Sequence, residues 1–348
     1  MNVLVTGGAG FIGSHAAQFF SRSNHVTIYD NLSRSQTLGT NKRWTKYNLE
    51  YVTQENPKIE VRIGDLRDFQ SLNKAAASAD TIIHTAGQVA VTTSVKDPRT
   101  DFEINALGTL NVLEAARIND AAVVFCSTNK VYGENVNMIP IAEDDKRYVF
   151  KDSQYVNGIP ESFSIDKTGH SPYGSSKLAA DTYVQDYAHT YGLRTAVFRM
   201  SCIYGERQFG VEDQGWLAWF TISTLTGRRI TIYGDGKQVR DTLYVKDLID
   251  AFNHFLQGRI KHAVFNMGGG PRNTLSLLEL LDLLQEITGV KPGVTFREWR
   301  PADQRVYISD IREAQNMLHW RPKVGPEDGV KRVVDWVRQN ERLFSQLA

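Results

Sequence analysis

The chain has 348 residues, 41% of them apolar, which is enough for one large core or two linked domains and too ordinary a mixture for a disordered or fibrous protein. Forty lysines and arginines against 39 acidic residues leave a formal charge of +1, which excludes a global basic field for holding a nucleic acid, so any phosphate has to be met locally. Only two cysteines occur, Cys126 and Cys202, each within an apolar run that reads as a buried strand, which excludes a disulfide framework and a cysteine-rich metal site.

In chain order, the first half alternates short β-branched runs at 2–6, 25–29, 59–63, 80–85, 121–126 and 195–199 with helical patterns such as 12–22 and 101–118. That rhythm predicts βαβ units and an α/β fold built on a Rossmann-type doubly wound parallel sheet, occupying about residues 1–200. Residues 134–170 are polar and aromatic with little periodicity, and read as a long functional loop. Beyond residue 200 the texture changes to Gly-, Arg- and Trp-containing loops with helical patterns near 213–226, 245–257, 275–288 and 327–345. This predicts a smaller C-terminal α/β lobe for substrate over 201–348, with one strand at 263–267 returning to the main sheet. No apolar run approaches the roughly 20 residues of a membrane span, and Asn2–Thr6 is already strand-like; a soluble cytoplasmic protein with no membrane partner is expected.

Thr6-Gly7-Gly8-Ala9-Gly10-Phe11-Ile12-Gly13 follows a predicted strand and opens a predicted helix. A bare glycine-rich turn would mean little, but in this context the glycines allow a tight turn, close approach to a pyrophosphate and close helix–strand packing. The helix start adds N–H donors and partial positive charge, so Gly7, Gly10, Phe11, Ile12 and Gly13 are candidate phosphate contacts. Asp30, 17 residues after Gly13 at the end of the next strand, can accept from ribose hydroxyls and repels a 2′-phosphate, which favours NAD over NADP. Arg34 pulls the other way or is a solvated loop charge. Asn31 and Ser33 beside Asp30, Asp65 and Leu66 after the third strand, Ala86, Gly87 and Gln88 after the fourth, Asn105 and Ser127 complete the candidate cofactor set.

Tyr173 and Lys177 stand four residues apart on one helix face. A lysine charge there should lower the tyrosine pKa, giving a phenolate base, and can also bond a nicotinamide ribose. Such a pair is common by chance on helix surfaces; behind a glycine loop it becomes a catalytic candidate.

Together the glycine loop and the Tyr173–Lys177 pair resemble the extended short-chain dehydrogenase/reductase family over essentially the whole chain. The resemblance implies that Thr128, in Ser127-Thr-Asn-Lys-Val-Tyr-Gly133, helps Tyr173 hold the reacting hydroxyl, although a strand-end threonine also commonly satisfies local backbone. Members that dehydrate nucleotide sugars carry an Asp-Glu pair after that position, whereas this chain has Asn129 and Lys130, which leaves epimerisation or simple oxidoreduction. Gly234–Asp241, with Arg240, and Arg300–Arg305 resemble the two arginine-bearing segments that clamp a nucleotide diphosphate, a task suited to the guanidinium fork. Either arginine read in isolation would more often belong to a surface ion pair. Cys202 stands where many relatives have a diphosphate-binding asparagine, so that contact falls to Cys202 or Ser201 or is absent.

More narrowly, Ala86–Ser94, Ser127–Gly133, His170–Gly174, Gly205–Phe209 with Asp213–Trp216, and Asp303–Val306 are similar to the CDP-tyvelose (CDP-paratose) 2-epimerase family. The resemblance implies a CDP-hexose substrate and transient oxidation at carbon 2 by tightly held NAD, with Tyr173 as base, Thr128 bridging and no net redox change. It makes Thr93, Thr128, Asn129, Lys130, His170, Gln208, Gln214, Arg240, Arg300 and Arg305 candidate substrate contacts. His170 is as readily a loop histidine, Asp213 a further polar candidate, and Trp216, Trp219 and Phe220 fit a core face. Alternatives are a CDP-glucose 2-epimerase, a UDP-sugar 4-epimerase and, outside enzymes, a dinucleotide sensor. The family also implies a homo-oligomer, a dimer or tetramer, built through the helices near 101–118 and Tyr173.

Overall fold

The computed structural model describes residues 1–39, 41–300 and 303–344. The chain divides into two compact units, one of Met1–Val131, Ser171–Arg199 and Ile249–Phe265, the other of Tyr132–His170, Met200–Leu248 and Asn266–Ala348. The division is interleaved; the sequence suggested a boundary near residue 200 with one strand at 263–267 returning to the first domain.

The first unit is built around a seven-stranded sheet of β1 (Asn2–Thr6), β2 (His25–Asp30), β3 (Glu60–Ile63), β4 (Thr81–His84), β5 (Ala122–Thr128), β6 (Thr195–Met200) and β7 (His262–Met267) in the order β7-β6-β5-β4-β1-β2-β3. The pairs β3/β2, β2/β1, β1/β4 and β4/β5 are parallel. β4 and β5 are buried at every position, which is why they read as unbroken apolar runs; β3, at the edge, is exposed throughout and carries Glu60 and Arg62. The 263–267 strand does return to this sheet, as its last member. Strand order reverses between β1 and β4, and in such sheets ligands bind at the strand ends flanking that reversal.

Helix α1 (Phe11–Phe20) follows β1. The expected helix over 101–118 is three pieces: Pro98–Phe102, a π-helical turn Glu103–Leu107, and α2 (Gly108–Asn119). α3 (Ser171–Tyr191) buries Tyr173, Ser176, Lys177, Ala180, Asp181, Val184 and Tyr187, a stripe at three- and four-residue spacing. Its Ala180 and Val184 join Val112 and Ala116 of α2 and Ile82, Val123 and Val197 of the sheet in one core cluster.

The second unit centres on the strand Val239–Tyr244, paired with Cys202–Tyr204 and Val306–Tyr307 in parallel and Thr274–Ser276 antiparallel. Ile230–Tyr233 pairs with Val294–Arg297, and Ile141–Glu143 with Tyr148–Phe150. The 134–170 stretch is thus partly ordered as a hairpin. The C-terminal helix runs Pro326–Gln339, shorter than the periodicity suggests, with a 3-10 turn at Glu341–Leu343. Phe220 is buried, while Trp216 and Trp219 are only half-buried. Cys126 is buried and Cys202 half-buried, both free thiols. Among the described residues no helix is long and apolar enough to cross a membrane.

Candidate active site

The turn after β1 is held by Gly7, whose N–H donates to the Tyr29 carbonyl (2.9 Å) and whose carbonyl accepts from the Gly10 N–H (2.9 Å). Gly7 has φ +72°, and a Cβ there would lie 2.6 Å from the Ala86 nitrogen; one on Gly13 would lie 2.2 Å from the Gly7 oxygen. Both positions therefore require glycine for backbone reasons. A Cβ on Gly10 meets only the Gly7 oxygen at 3.0 Å and otherwise faces open space beside the first-turn N–H groups of Phe11, Ile12 and Gly13, which a helix leaves without intrahelical acceptors. A phosphate-sized group fits that cradle.

Asp30 ends β2 and accepts from the Ala9 N–H (3.0 Å) and the Leu32 N–H (2.8 Å); burial raises its pKa against those two bonds. Each carboxylate oxygen has further acceptor capacity for a ribose. Asn31 donates to Asp65 (2.9 Å) and accepts from the Ser33 N–H (3.0 Å), and Ser33 caps the short helix Arg34–Leu38. Arg67 holds the Asp65 carboxyl well below the ordinary range. Leu66 is buried against Gly108.

After β4, Ala86 backs onto Gly7, and Gly87 leaves room for the Asn105 amide, whose Oδ1 would lie 2.9 Å from a Cβ there. The π-helical turn places Asn105 so that its Oδ1 accepts from the Gln88 N–H (2.9 Å) and its Nδ2 donates to the Gln88 carbonyl (3.1 Å) and to Asp101 (3.1 Å). Asp101 is buried and also accepts from Gln88 Nε2 (2.7 Å) and the Ser176 hydroxyl (2.5 Å); burial raises its pKa. Asp101, Ser176 and Ser94 were not evident from sequence. The insertion of a π turn, a feature that concentrates at functional sites, is their structural signal.

Tyr173 is pinned through its backbone, its N–H donating to Ser94 Oγ (3.1 Å). Burial pushes the phenol up to about 12, with Thr128 opposing. Lys177 is buried, its Nζ donating to the Cys126 carbonyl (2.6 Å) and lying 4.3 Å from the Phe125 ring centre; burial pulls its pKa down to about 8. The sequence reading gave Lys177 the part of lowering the phenol pKa; in this structure burial is the largest influence on Tyr173. The ammonium is committed to a backbone carbonyl, and desolvation governs the phenol.

Thr128 Oγ1 accepts from the Lys130 N–H (3.3 Å) and donates to Asn129 Oδ1 (3.4 Å). No carboxylate follows Thr128 in the chain until Glu134. The Ser127 hydroxyl donates to Asp181 (2.6 Å), which Arg199 grips at 3.0 Å in a buried ion pair, so any cofactor contact at 127 falls to its backbone. Thr93 lies on the short helix Val91–Lys96 with Ser94.

The remaining sequence candidates belong to the second unit. Arg240 pairs with Asp303 (2.8 Å), and Arg300 with Asp213 (2.8 Å) while lying 4.1 Å from the Tyr233 ring centre. Arg305 lies 5.4 Å from the Trp299 ring centre and 5.8 Å from that of Tyr148. Arg300 and Arg305 line a cavity of about 540 Å³ with Glu134, Asn137, Met138 and Trp299. His170 Nε2 bonds the Ile165 carbonyl (2.9 Å), as a loop histidine does. Gln208 donates to the Ile203 carbonyl (3.2 Å), and Gln214 pairs through its backbone with Val211. Cys202 Sγ accepts from the Trp216 indole (3.1 Å), and Ser201 Oγ donates to the Asp241 carbonyl (3.2 Å). Tyr233 and Trp299 gave no sequence signal beyond an aromatic beside a glycine turn or an arginine.

A doubly wound sheet, a glycine-rich turn opening the first helix, an acid at the end of β2 and a buried Tyr–Lys pair at the β5 end are the features of a dinucleotide-dependent enzyme of the short-chain dehydrogenase/reductase type. Residues 3–268 match the NAD dependent epimerase/dehydratase family, and the chain belongs to it. It is similar to the CDP-paratose 2-epimerase of Salmonella typhi, 41% identical over 350 residues that cover 97% of this chain and 99% of that protein. Among solved structures it resembles the Thermotoga maritima UDP-glucose 4-epimerase with UDP-glucose (TM-score 0.81, 31% identity, 98% of this chain and 100% of that one). The Thermus thermophilus UDP-glucose 4-epimerase complex with NAD is comparable (TM-score 0.78, 32% identity, 97% and 99% covered). The chain is an NAD-dependent enzyme.

Proposed function

We propose that this enzyme is a 2-epimerase of a CDP-hexose, interconverting CDP-paratose and CDP-tyvelose. The observation that carries the reading is the full-length 41% identity to a CDP-paratose 2-epimerase. The Asn129–Lys130 dipeptide supports it, because elimination of water needs an acid and a base where this chain has an amide and an ammonium.

In this reading Gly7, Gly10, Gly13 and Asp30 seat the dinucleotide, and Arg305, together with Arg240 and Arg300 through guanidinium N–H groups beyond those used on Asp303 and Asp213, meets the diphosphate. Oxidised NAD, when bound, supplies a reversible hydride acceptor and a positive charge. Tyr173 takes the proton from the sugar hydroxyl, and Thr128, at the end of β5, bridges to the same oxygen. Burial is the largest influence raising the Tyr173 pKa, and in this reading the positive charges of Lys177 and of the bound cofactor favour the phenolate. Tyr173 would return that proton to the oxygen as the 2-ketose, having presented its other face, regains hydride at carbon 2, and this change of face inverts carbon 2.

The test is incubation with CDP-paratose, CDP-tyvelose, CDP-glucose and UDP-glucose in deuterated water, followed by NMR. Interconversion of the first two is expected, without deuterium at carbon 2 and without accumulating NADH, and Tyr173→Phe should lower kcat by roughly 10²–10⁴-fold. Epimerisation of UDP-glucose at carbon 4 with no action on CDP sugars overturns the reading. So does steady NADH formation without an epimer, or unchanged turnover in Tyr173→Phe.

A further inference from the structure

The two arginine-bearing segments are knit to each other. The Val239 N–H donates to the Arg305 carbonyl (2.9 Å), Arg240 pairs with Asp303 (2.8 Å), and the Trp299 ring covers Gly234 so closely that a Cβ there would lie 2.6 Å from it. Gly234 has φ +89°, so a side chain at that position is excluded by both backbone and space.

The 134–170 stretch reaches both segments. Asn137 uses each end of its amide on one of them: Nδ2 donates to the Asp303 carbonyl (3.0 Å), and Oδ1 accepts from the Arg305 N–H (3.1 Å). Tyr148 holds the other, its N–H donating to the Lys237 carbonyl (3.0 Å) and its hydroxyl to the Asp235 carboxylate. Asp235 in turn accepts from the Lys237 N–H (2.9 Å), and Lys237 Nζ pairs with Glu143 (2.7 Å) beside the hairpin turn. The Arg305 guanidinium lies between the rings of Tyr148 and Trp299. None of these bonds involves a residue of the dinucleotide turn or the Tyr173 cluster.

We propose that Asn137 and Tyr148 are positioning residues, and that the 134–170 insert is a brace fixing the spacing of the 234–240 and 299–305 segments so that Arg240, Arg300 and Arg305 face one diphosphate together. The inference rests on the reading of these arginines as diphosphate ligands. An amide that spans the 303 carbonyl and the 305 N–H sets the direction of the backbone that leads into Arg305. A tyrosine tied at both backbone and hydroxyl does the same at residues 235–237.

The experiment measures CDP binding by calorimetry and epimerase kinetics for Asn137→Ala, Asn137→Asp, Tyr148→Phe and Arg300→Ala, each purified with its NAD. Loss of two hydrogen bonds of ordinary strength should raise the CDP Kd and the substrate KM of Asn137→Ala about tenfold, with kcat within about twofold and NAD content unchanged. Asn137→Asp, which keeps the acceptor for the Arg305 N–H, should recover part of the loss, and Tyr148→Phe should show a smaller rise in KM. Should Asn137→Ala not fold, Tyr148→Phe and Asn137→Asp carry the same KM-against-kcat split. Unchanged CDP binding in the Asn137 and Tyr148 variants while Arg300→Ala weakens it overturns the brace alone, as does a fall in kcat at constant KM. Unchanged binding in Arg300→Ala overturns the underlying reading of the arginines and the brace with it.

Discussion

Replacing Gly10 and Gly13 separately with alanine should divide two roles that one turn combines. At Gly13 the new Cβ would sit 2.2 Å from the Gly7 oxygen and 2.7 Å from Thr85 Oγ1, at least about 1 Å inside ordinary contact with the backbone atom. Overpacking of that kind costs about 1–3 kcal/mol, and the roughly 1 kcal/mol gained by alanine over glycine inside a helix offsets only part of it. At Gly10 the backbone is extended (φ −76°, ψ 178°), any residue adopts it, and the Cβ meets only one atom at 3.0 Å. Exchange of glycine for alanine at a helix N-cap costs below about 1 kcal/mol, so Gly10→Ala should fold, yet its methyl group would occupy the place where a pyrophosphate approaches α1. NAD released from the purified proteins, together with urea unfolding of the stripped proteins, separates the effects. Gly10→Ala should lose at least tenfold in NAD affinity at nearly native stability, whereas Gly13→Ala should lose stability directly. Native NAD affinity in Gly10→Ala would refute the cradle, and native stability in Gly13→Ala would refute the packing argument.

His84 is buried, bonded to Thr6 Oγ1 (2.8 Å) and Thr109 Oγ1 (3.0 Å), and burial pulls its pKa down to about 3. Between that value and the ordinary 6.5 the unfolded chain binds the extra proton, so the contribution is complete above about pH 6.5 and is lost at up to roughly 1.4 kcal/mol per pH unit on acidification. Urea unfolding of His84→Gln, compared with the parent from pH 7.5 to 4.5, should show a shallower decline; identical slopes would remove His84 from the account. Asp181→Asn leaves the buried Arg199 guanidinium without its partner and should cost about 3–5 kcal/mol in equilibrium unfolding, and a loss below 1 kcal/mol would contradict it.

The features most legible in the sequence were those written in adjacent residues: the Gly7–Gly13 turn, Asp30 at the β2 end, and Tyr173 and Lys177 one helical turn apart. Each depends on a local period or backbone freedom, so spacing alone places it. The Asp101–Gln88–Asn105–Ser176 network was only half visible, because it joins residues up to 88 positions apart through a π turn that shifts the helical phase. Periodicity over 101–118 reads as one continuous helix, which would misplace Asn105. The surroundings of Tyr173 were hidden for a related reason: residue spacing shows that Lys177 is near, but only the fold shows its ammonium bonded to the Cys126 carbonyl and both groups desolvated. The 134–170 stretch lacked periodicity because its order comes from one short hairpin and from partners at 235–237 and 303–305, not from a long regular element.

The interleaving of the two units has a consequence for synthesis. The chain passes between them five times, at 131/132, 170/171, 199/200, 248/249 and 265/266. β6 acquires its outer neighbour only when residues 262–267 have left the ribosome, some 60 residues after its own emergence. Until then the nascent sheet carries an open edge strand of buried-type residues, Thr195–Phe198, of the kind that pairs with other chains. A truncation near residue 200 would make that transient edge permanent, and a fragment chosen by the cofactor motif alone should therefore aggregate although every glycine of the turn is present.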